Sequence, residues 1–150
     1  MSRLLFVDSG PLGYAFTPTV NDEHLQCSQW LEALLVKGEE FALAEIVDYE
    51  CRRGWLRQDN HPALAKLDGA KAAFIYVPIT TDAMVRAAEL WAAARKGGYA
   101  TATDQRLDAD VILAAQVSTF AHAADEVVVA TMNVRHLSRF VTAKKWDEIT

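Results

Sequence analysis

The sequence lacks any long apolar stretch. Its N-terminal apolar run is only a few residues long, well short of the core of a secretory signal peptide. No other run approaches the ~20 consecutive apolar residues that a membrane-spanning helix needs. We therefore expect a cytoplasmic protein that does not associate with a membrane.

Cysteine is also scarce, since only Cys27 and Cys51 occur among the 150 residues. Each lies in an amphipathic helical pattern among apolar neighbours, which is typical of a thiol packed in the core. We expect two buried thiols and no disulfide. Neither the cysteines nor the histidines have the spacing of a zinc site.

The chain has no surplus of positive charge. Lysine and arginine number 15 against 20 aspartates and glutamates, which gives a formal net charge of −5. General nucleic-acid binders depend on an excess of basic residues to contact phosphates. The composition therefore disfavours a nucleic-acid function, unless the acidic residues gather in one place and bind a metal.

Proline-rich linkers, low-complexity tracts and internal repeats are absent as well, and we predict a single domain over residues 1–150. Short apolar runs rich in branched side chains predict buried strands over residues 4–7, 75–77 and 127–130. Residues 41–43 are a weaker candidate. The tail after residue 140 is either an edge strand or a frayed end.

Between these runs the apolar period becomes that of a helix. Residues 27–35, 47–55 and 84–91 have apolar side chains at a helical spacing, and a further helix is predicted over residues 107–120. Strands that alternate with helices imply crossover connections, and crossovers imply a mainly parallel sheet covered on both faces. The predicted fold class is therefore α/β, with three layers in the order α/β/α.

Asp8 directly follows the first predicted strand, in the stretch "LLFVDSG". In parallel α/β sheets the ligand site lies beyond the carboxyl ends of the strands, so Asp8 is a candidate site residue. The alternative is that Asp8 caps a helix that begins near Pro11. Ser9 is either a hydroxyl that supports the site or a helix N-cap.

Glu50 lies in "AEIVDYECRRGW", on the helical row that continues to Arg53. It is a second candidate, and Arg53 is a candidate for contact with a substrate. The alternative is a surface ion pair between the two, worth at most about 0.5 kcal/mol.

Three aspartates cluster in "TDQRLDADVILAAQ", where Asp104, Asp108 and Asp110 lie just before and inside the first turn of a predicted helix. Negative charge is favourable there, so all three are alternatively helix-capping residues. Asp108 and Asp110 are separated by about 200° around a helix, so at most one of them can face a given pocket.

Polar residues also follow the last clear strand, in "VVVATMNVRHL". Thr131 and Asn133 leave the end of the sheet on a tight turn, although Asn133 could equally be an ordinary turn residue. His136 either contacts a phosphate or has a peripheral role.

In this order and on these elements, the stretches "FVDSGPL", "EIVDYECRRG", "DADVILAAQ" and "VVVATMNVRHL" resemble the PIN-domain family, in particular the VapC-like ribonuclease toxins of type II toxin–antitoxin systems. The resemblance implies a PIN-like fold and a metal-dependent endoribonuclease that cleaves single-stranded RNA. Carried over by position, Asp8, Glu50 and Asp110 are the catalytic carboxylates and the ligands of Mg²⁺ or Mn²⁺. Asn133 stands at the fourth catalytic place, where many members have an aspartate.

The resemblance also implies partners, namely a cognate antitoxin protein and a second copy of the chain in a homodimer. The supporting or substrate-contacting residues are then Ser9, Thr131, Asp108, Asp104, His136 and Arg53. The physical argument agrees, because clustered carboxylates repel one another unless a cation lies between them. Hard oxygen ligands favour Mg²⁺ or Mn²⁺ over zinc, and such an ion can activate water to attack a phosphodiester.

Two other functions stay open. The missing fourth carboxylate and the acidic net charge would also fit a catalytically weak PIN fold that acts as a protein-binding module. A phosphoryl-transfer enzyme with Asp8 as nucleophile is disfavoured. Haloacid-dehalogenase-like phosphatases have a second aspartate two residues later, where this chain has Gly10, and the strand that would end on the receiver-domain aspartate is followed by Pro78.

Overall fold

A five-stranded sheet forms the centre of the molecule. The computed structural model describes residues 2–98 and 103–150, and in them the strands are β1 Arg3–Val7, β2 Glu40–Ala44, β3 Ile75–Val77, β4 Glu126–Thr131 and β5 Ala143–Lys145. Their order is β3-β2-β1-β4-β5, and every neighbouring pair is parallel. All four apolar runs predicted as strands are strands, and the C-terminal tail forms an edge strand.

Helices make the connections between these strands. In the described residues they are α1 Ser9–Ala15, α2 Asp22–Val36, α3 Glu45–Arg57, α4 His61–Ala73, α5 Thr81–Lys96, α6 Asp104–Ser118 and α7 Val134–Leu137, followed by a 3₁₀ turn over Trp146–Glu148. The α/β prediction is confirmed. None of the helices in this part of the chain is long and apolar enough to cross a membrane.

The core is centred on β1, the middle strand, and on its neighbours β2 and β4, each of which has four consecutive buried residues. Leu5 and Phe6 are fully buried although they point to opposite faces, so the sheet is covered on both sides, as the crossover connections require. Cys27 and Cys51 are buried free thiols in this core.

The register of β1 and β4 determines where the polar side chains emerge. Val7 pairs with Ala130, and the Asp8 N–H donates to the Ala130 carbonyl at 2.9 Å. The two strands therefore end at the same level, and the residues that follow them meet at one edge. The chain leaves β1 for β2 on one side and later returns from β3 to β4 on the other side of β1. The ends of β1 and β4 are therefore the point where the strand order reverses, which is where α/β folds bind ligands.

One predicted boundary is wrong. Helix α6 begins at Asp104, not at residue 107, and its N-cap is Thr103, whose hydroxyl accepts from the Arg106 N–H at 3.2 Å. The prediction was late because the apolar row begins only at Leu107, which is fully buried. Asp108 and Asp110 therefore lie in the second turn, where neither can cap the helix.

Candidate active site

A cleft of about 460 Å³ opens beyond the carboxyl ends of β1 and β4. Four separate stretches of sequence line it. They are the residues after β1, part of α3, part of α6 and the residues at the end of β4. Among the residues predicted for the site, those that line it are Asp8, Ser9, Glu50, Arg53, Asp110, Thr131 and Asn133. The sheet and two helices thus bring together most of the predicted set.

Asp8 is held in place on both oxygens. Its Oδ1 accepts from the Ser9 N–H at 2.8 Å, and its Oδ2 accepts from the Thr131 hydroxyl at 2.8 Å. Asp8 is therefore the N-cap of α1 and a cleft residue at once, and Ser9 is the first residue of that helix, not its cap. Burial raises the pKa of Asp8, although the bonds from Thr131 and Ser9 oppose the rise.

Thr131 connects the two strand ends. Its hydroxyl is fully buried, donates to Asp8 and accepts from the Asn133 N–H at 2.9 Å. Asn133 is the N-cap residue of α7 but makes no side-chain capping bond there. Its amide is therefore not used by the turn, and it lines the cleft.

Glu50 enters the cleft from α3. Burial first, and then the charges of Asp8 and Asp110, raise the pKa of Glu50 to about 7, although Arg53 opposes the rise. The alternative of a Glu50–Arg53 surface pair is wrong, because Arg53 is not within ion-pair distance of Glu50. The Arg53 guanidinium lies over the Tyr49 ring, 5.0 Å from its centroid.

Asp110 enters from α6 and is only 8% exposed. Burial and the charge of Asp8 raise the pKa of Asp110 to about 6, and Arg106 and Arg139 oppose the rise. Its Oδ2 is buried and has no hydrogen-bond partner. A buried carboxylate oxygen without a partner is unfavourable, so this atom is available to accept from a ligand or to bind a cation.

This donor set fits a hard divalent cation. The cleft presents carboxylate and amide oxygens, which suit Mg²⁺ or Mn²⁺, and an unpartnered buried oxygen points to a missing positive charge. Among the described residues, no group of three or more histidine, cysteine, aspartate or glutamate side chains could hold a metal ion by itself. Mg²⁺ commonly keeps several waters and takes only one or two carboxylates from a protein, so a partial protein shell suits it.

Three predicted supporting residues lie outside the cleft lining. The Asp104 side chain is 74% exposed and forms an ion pair with Arg95. Asp108 is exposed and borders a groove beside Met84 and Trp91, as its angular separation from Asp110 requires. Neither residue therefore lines the cleft that holds the other predicted residues.

His136 lies on α7, where its Nδ1 is 3.2 Å from the Arg139 guanidinium. Partial burial and the neighbouring cations, Arg139 first, lower the pKa of His136. The ring faces Arg139 and does not line the cleft, which fits the peripheral alternative for His136.

The sequence analysis missed Arg106 and Gln116. Arg106 follows the Thr103 cap and lines the cleft from the α6 side, and only the position of that cap could have indicated it. Gln116 was detectable as a lone amide within the apolar run "VILAAQV".

Gln116 joins the two helices that supply the carboxylates. It is fully buried, its Nε2 donates to the Val77 carbonyl at 2.6 Å and its Oε1 accepts from the Ile46 N–H at 3.2 Å. Ala44, the N-cap of α3, has no side-chain oxygen to offer, so Gln116 of α6 supplies the acceptor. The start of the helix that carries Glu50 is thereby fixed to the helix that carries Asp110.

No protein-family model matches the sequence, and no curated protein matches it significantly. Solved structures do match over nearly the whole chain. VapBC2 from Rickettsia felis, bound to a DNA fragment from its promoter, has 17% identity and a TM-score of 0.66, over 96% of this chain and 99% of that one.

Two further structures agree. DNA-bound VapBC from Salmonella typhimurium has 17% identity and a TM-score of 0.67, over 97% of this chain and 99% of that one. VapBC-1 from nontypeable Haemophilus influenzae has 9% identity and a TM-score of 0.60, over 96% of this chain and 98% of that one. The likeness confirms the PIN-like fold.

Proposed function

We propose that this chain is a metal-dependent endoribonuclease of the PIN-domain family, a VapC-like toxin that cleaves single-stranded RNA. The observation that carries the proposal is the meeting of Asp8, Glu50 and Asp110 in one cleft, where an oxygen of Asp110 is buried without a partner. The likeness to VapBC structures supports it at the level of the fold.

In this proposal Asp8, Glu50 and Asp110 surround Mg²⁺ or Mn²⁺ and bind it directly or through its water ligands, and Asn133 offers an amide oxygen at the fourth place. When bound, the ion supplies an activated water and neutralises charge on the phosphodiester. The Ser9 N–H and the Thr131 hydroxyl fix the Asp8 carboxylate, so both its oxygens keep their direction.

The basic residues of the cleft have a separate role. Arg53 lines the cleft from α3 and Arg106 from α6, so positive charge stands on both sides of the carboxylates. Guanidinium groups bind phosphate oxygens well. They compensate locally for a net charge of −5, which alone would repel RNA.

The same proposal includes partners and location. By analogy with complexes named VapBC, the chain binds a cognate antitoxin protein and forms a homodimer. It works in the cytoplasm as a single PIN-like domain over residues 1–150.

The direct test is cleavage of single-stranded RNA by the purified protein in Mg²⁺ or Mn²⁺. We expect Asp8→Asn or a chelator to abolish cleavage. Asp82→Asn is the matched control, because Asp82 is an exposed acid in the first turn of α5 and does not line the cleft. Unchanged cleavage by Asp8→Asn would contradict the proposal. A protein that neither binds Mn²⁺ nor cleaves RNA would favour the catalytically weak binding module.

A further inference from the structure

A second cavity, of about 270 Å³, adjoins the carboxylate cleft. The two share Ser9, Glu50 and Arg53 as lining residues. Beyond these, the second cavity extends between α1 and α3 past Gly13, Gly54 and Gln58. We call this second cavity the trough. Because the trough and the cleft share a wall, a chain-like ligand that occupies one can continue into the other.

The trough lies between two helical glycines that the fold itself does not require. Glycine in a helix interior is less stable than alanine, so it usually marks a close approach or a positive φ. A Cβ added at Gly13 or Gly54 would meet no atom within 4 Å, and neither glycine has a positive φ. At Gly10, in contrast, a Cβ would come 3.1 Å from the Met132 sulfur, so packing explains that glycine. A side chain at Gly13 or Gly54 would instead occupy space in or beside the trough.

Arg53 stands at the junction of the cleft and the trough. It is exposed, and its guanidinium lies over the ring of Tyr49, which is 55% exposed. No carboxylate of the described residues forms an ion pair with it. A guanidinium held on an aromatic ring, with its hydrogen-bond donors free, suits a phosphate. Successive nucleotides of a single strand are joined by phosphates, so a strand that leaves the cleft can present one to Arg53.

We infer that the trough is the subsite for the RNA nucleotide next to the cleaved phosphodiester, and that Arg53 binds the phosphate of that nucleotide. The inference rests on the proposed nuclease function and deepens it. Single-stranded nucleic acids are bound through basic side chains that contact the backbone phosphates. Arg53 supplies such a group at the trough, and the Tyr49 ring beneath it supports the guanidinium. The missing side chains at Gly13 and Gly54 leave the room that the sugar and base need.

The test fills the trough without replacing any of the carboxylates, and because Glu50 also lines the trough, Mn²⁺ affinity is measured beside RNA binding. Gly54→Leu is made in the cleavage-deficient Asp8→Asn background, and binding of a fluorescein-labelled single-stranded RNA of random sequence is measured by anisotropy. Gly69→Leu is the matched control, because Gly69 lies inside α4, also has no atom within 4 Å of an added Cβ, and does not line the trough. We expect Gly54→Leu to raise the Kd by about tenfold or more and Gly69→Leu to leave it within about twofold.

Two further measurements separate blocking from misfolding. Gly54→Ala and Gly69→Ala should each raise the Tm by about 2–4 °C, because alanine favours the helix, but only Gly54→Ala should weaken RNA binding. In the Asp8-containing protein, Mn²⁺ affinity should be the same with Gly54→Leu as with Gly69→Leu.

The outcomes distinguish the two proposals. If wild-type protein cleaves RNA and the Gly54 variants bind it like the Gly69 variants, the trough inference is overturned and the nuclease proposal stands. An effect of the Gly54 variants on binding of a partner protein alone, without an effect on RNA binding, would also overturn the trough inference. If wild-type protein neither binds nor cleaves RNA, the nuclease proposal fails and the trough inference fails with it.

Discussion

Two buried aspartates show how a structural carboxylate differs from one placed for chemistry. Asp48 on α3 is 5% exposed and Asp110 on α6 is 8% exposed. Asp48 accepts from Arg52 at 2.8 Å and from the Tyr76 hydroxyl at 3.0 Å, whereas one oxygen of Asp110 accepts from nothing. The two aspartates are therefore buried to a similar extent, but they differ in the hydrogen-bond donors that surround them.

The difference extends to the surroundings of each group. Arg52 also pairs with Asp68 at 2.9 Å, so the positive charge near Asp48 has two carboxylates to balance it. Asp110 instead shares its cleft with Asp8 and Glu50, and the negative charge of Asp8 raises the pKa of both Asp110 and Glu50. A buried acid that shares a cleft with two other acids and has an oxygen without a hydrogen-bond donor indicates a place for a cation.

The largest expected effect is on catalysis at Asp110. Asp110→Asn should lower the rate of RNA cleavage on the order of 10²-fold or more, because it removes a proposed ligand of the metal. The free energy of unfolding of the metal-free protein at neutral pH should not fall, since the replaced oxygen has no partner to lose. Cleavage assays and urea titrations measure the two quantities, and a large loss of stability would contradict the contrast with Asp48.

The opposite result is expected at Asp48. Asp48→Ala leaves Arg52 and the Tyr76 hydroxyl without their acceptor, so the free energy of unfolding should fall by about 1–3 kcal/mol. At temperatures below its unfolding transition, Asp48→Ala should bind Mn²⁺ with the affinity of the wild-type protein. Asp68→Ala is the control, because Asp68 is 64% exposed and such surface pairs contribute at most about 1 kcal/mol. If Asp48→Ala and Asp68→Ala lowered the free energy of unfolding equally, Asp48 would not have the structural role that distinguishes it from Asp110.

Gln116 allows a test of how the helices support the cleft. Gln116→Leu removes the bonds to Ile46 and Val77, so we expect Mn²⁺ affinity to fall by about tenfold at a temperature where the variant is folded. Val117→Ala is the control, because it truncates a buried neighbour on the same helix and destabilises by a cavity. If both variants lose stability and neither loses Mn²⁺ affinity, Gln116 supports only the fold.

The last expected effect is a dependence of stability on pH in the metal-free protein. The pKa of Glu50 is raised from 4.5 to about 7, so the folded state keeps a proton that the unfolded state has lost. Stability should therefore fall as pH rises through this window, and Asp110, raised to about 6, contributes in the same direction. Urea titrations at about pH 5 and about pH 8 measure the fall. Glu50→Gln or added Mn²⁺ should reduce it, and a slope of opposite sign would contradict the cleft electrostatics.

Much of the fold could be predicted because buried strands and helices leave strong periodic patterns. Leu35 and Met84 mark the limit, because both belong to apolar helical rows and are nonetheless 43% and 44% exposed. Periodicity indicates which face is apolar but not how far a neighbouring element covers it.

For the candidate site, the position of a polar residue relative to the predicted strands and helices was the useful signal. Asp8 and Asn133 follow strands that end at one edge, which a parallel sheet requires. Asp104 and Asp108 do not line the cleft, because Asp104 lies in an exposed ion pair at the start of α6 and Asp108 is on the helix face turned away from Asp110. The partnership of Gln116 with Ile46 joins residues 70 positions apart, and no local pattern encodes such a pair.

The bond between Thr131 and Asp8 joins residues 123 positions apart. A nascent chain that has not yet reached β4 already contains Asp8, Glu50 and Asp110 but has nothing against which β1 can pair on that side. Since chains emerge from the ribosome N-terminus first, the carboxylates gain their fixed arrangement only near the end of synthesis. An incomplete translation product thus carries every proposed metal-binding acid and lacks the strand that holds Asp8 in register.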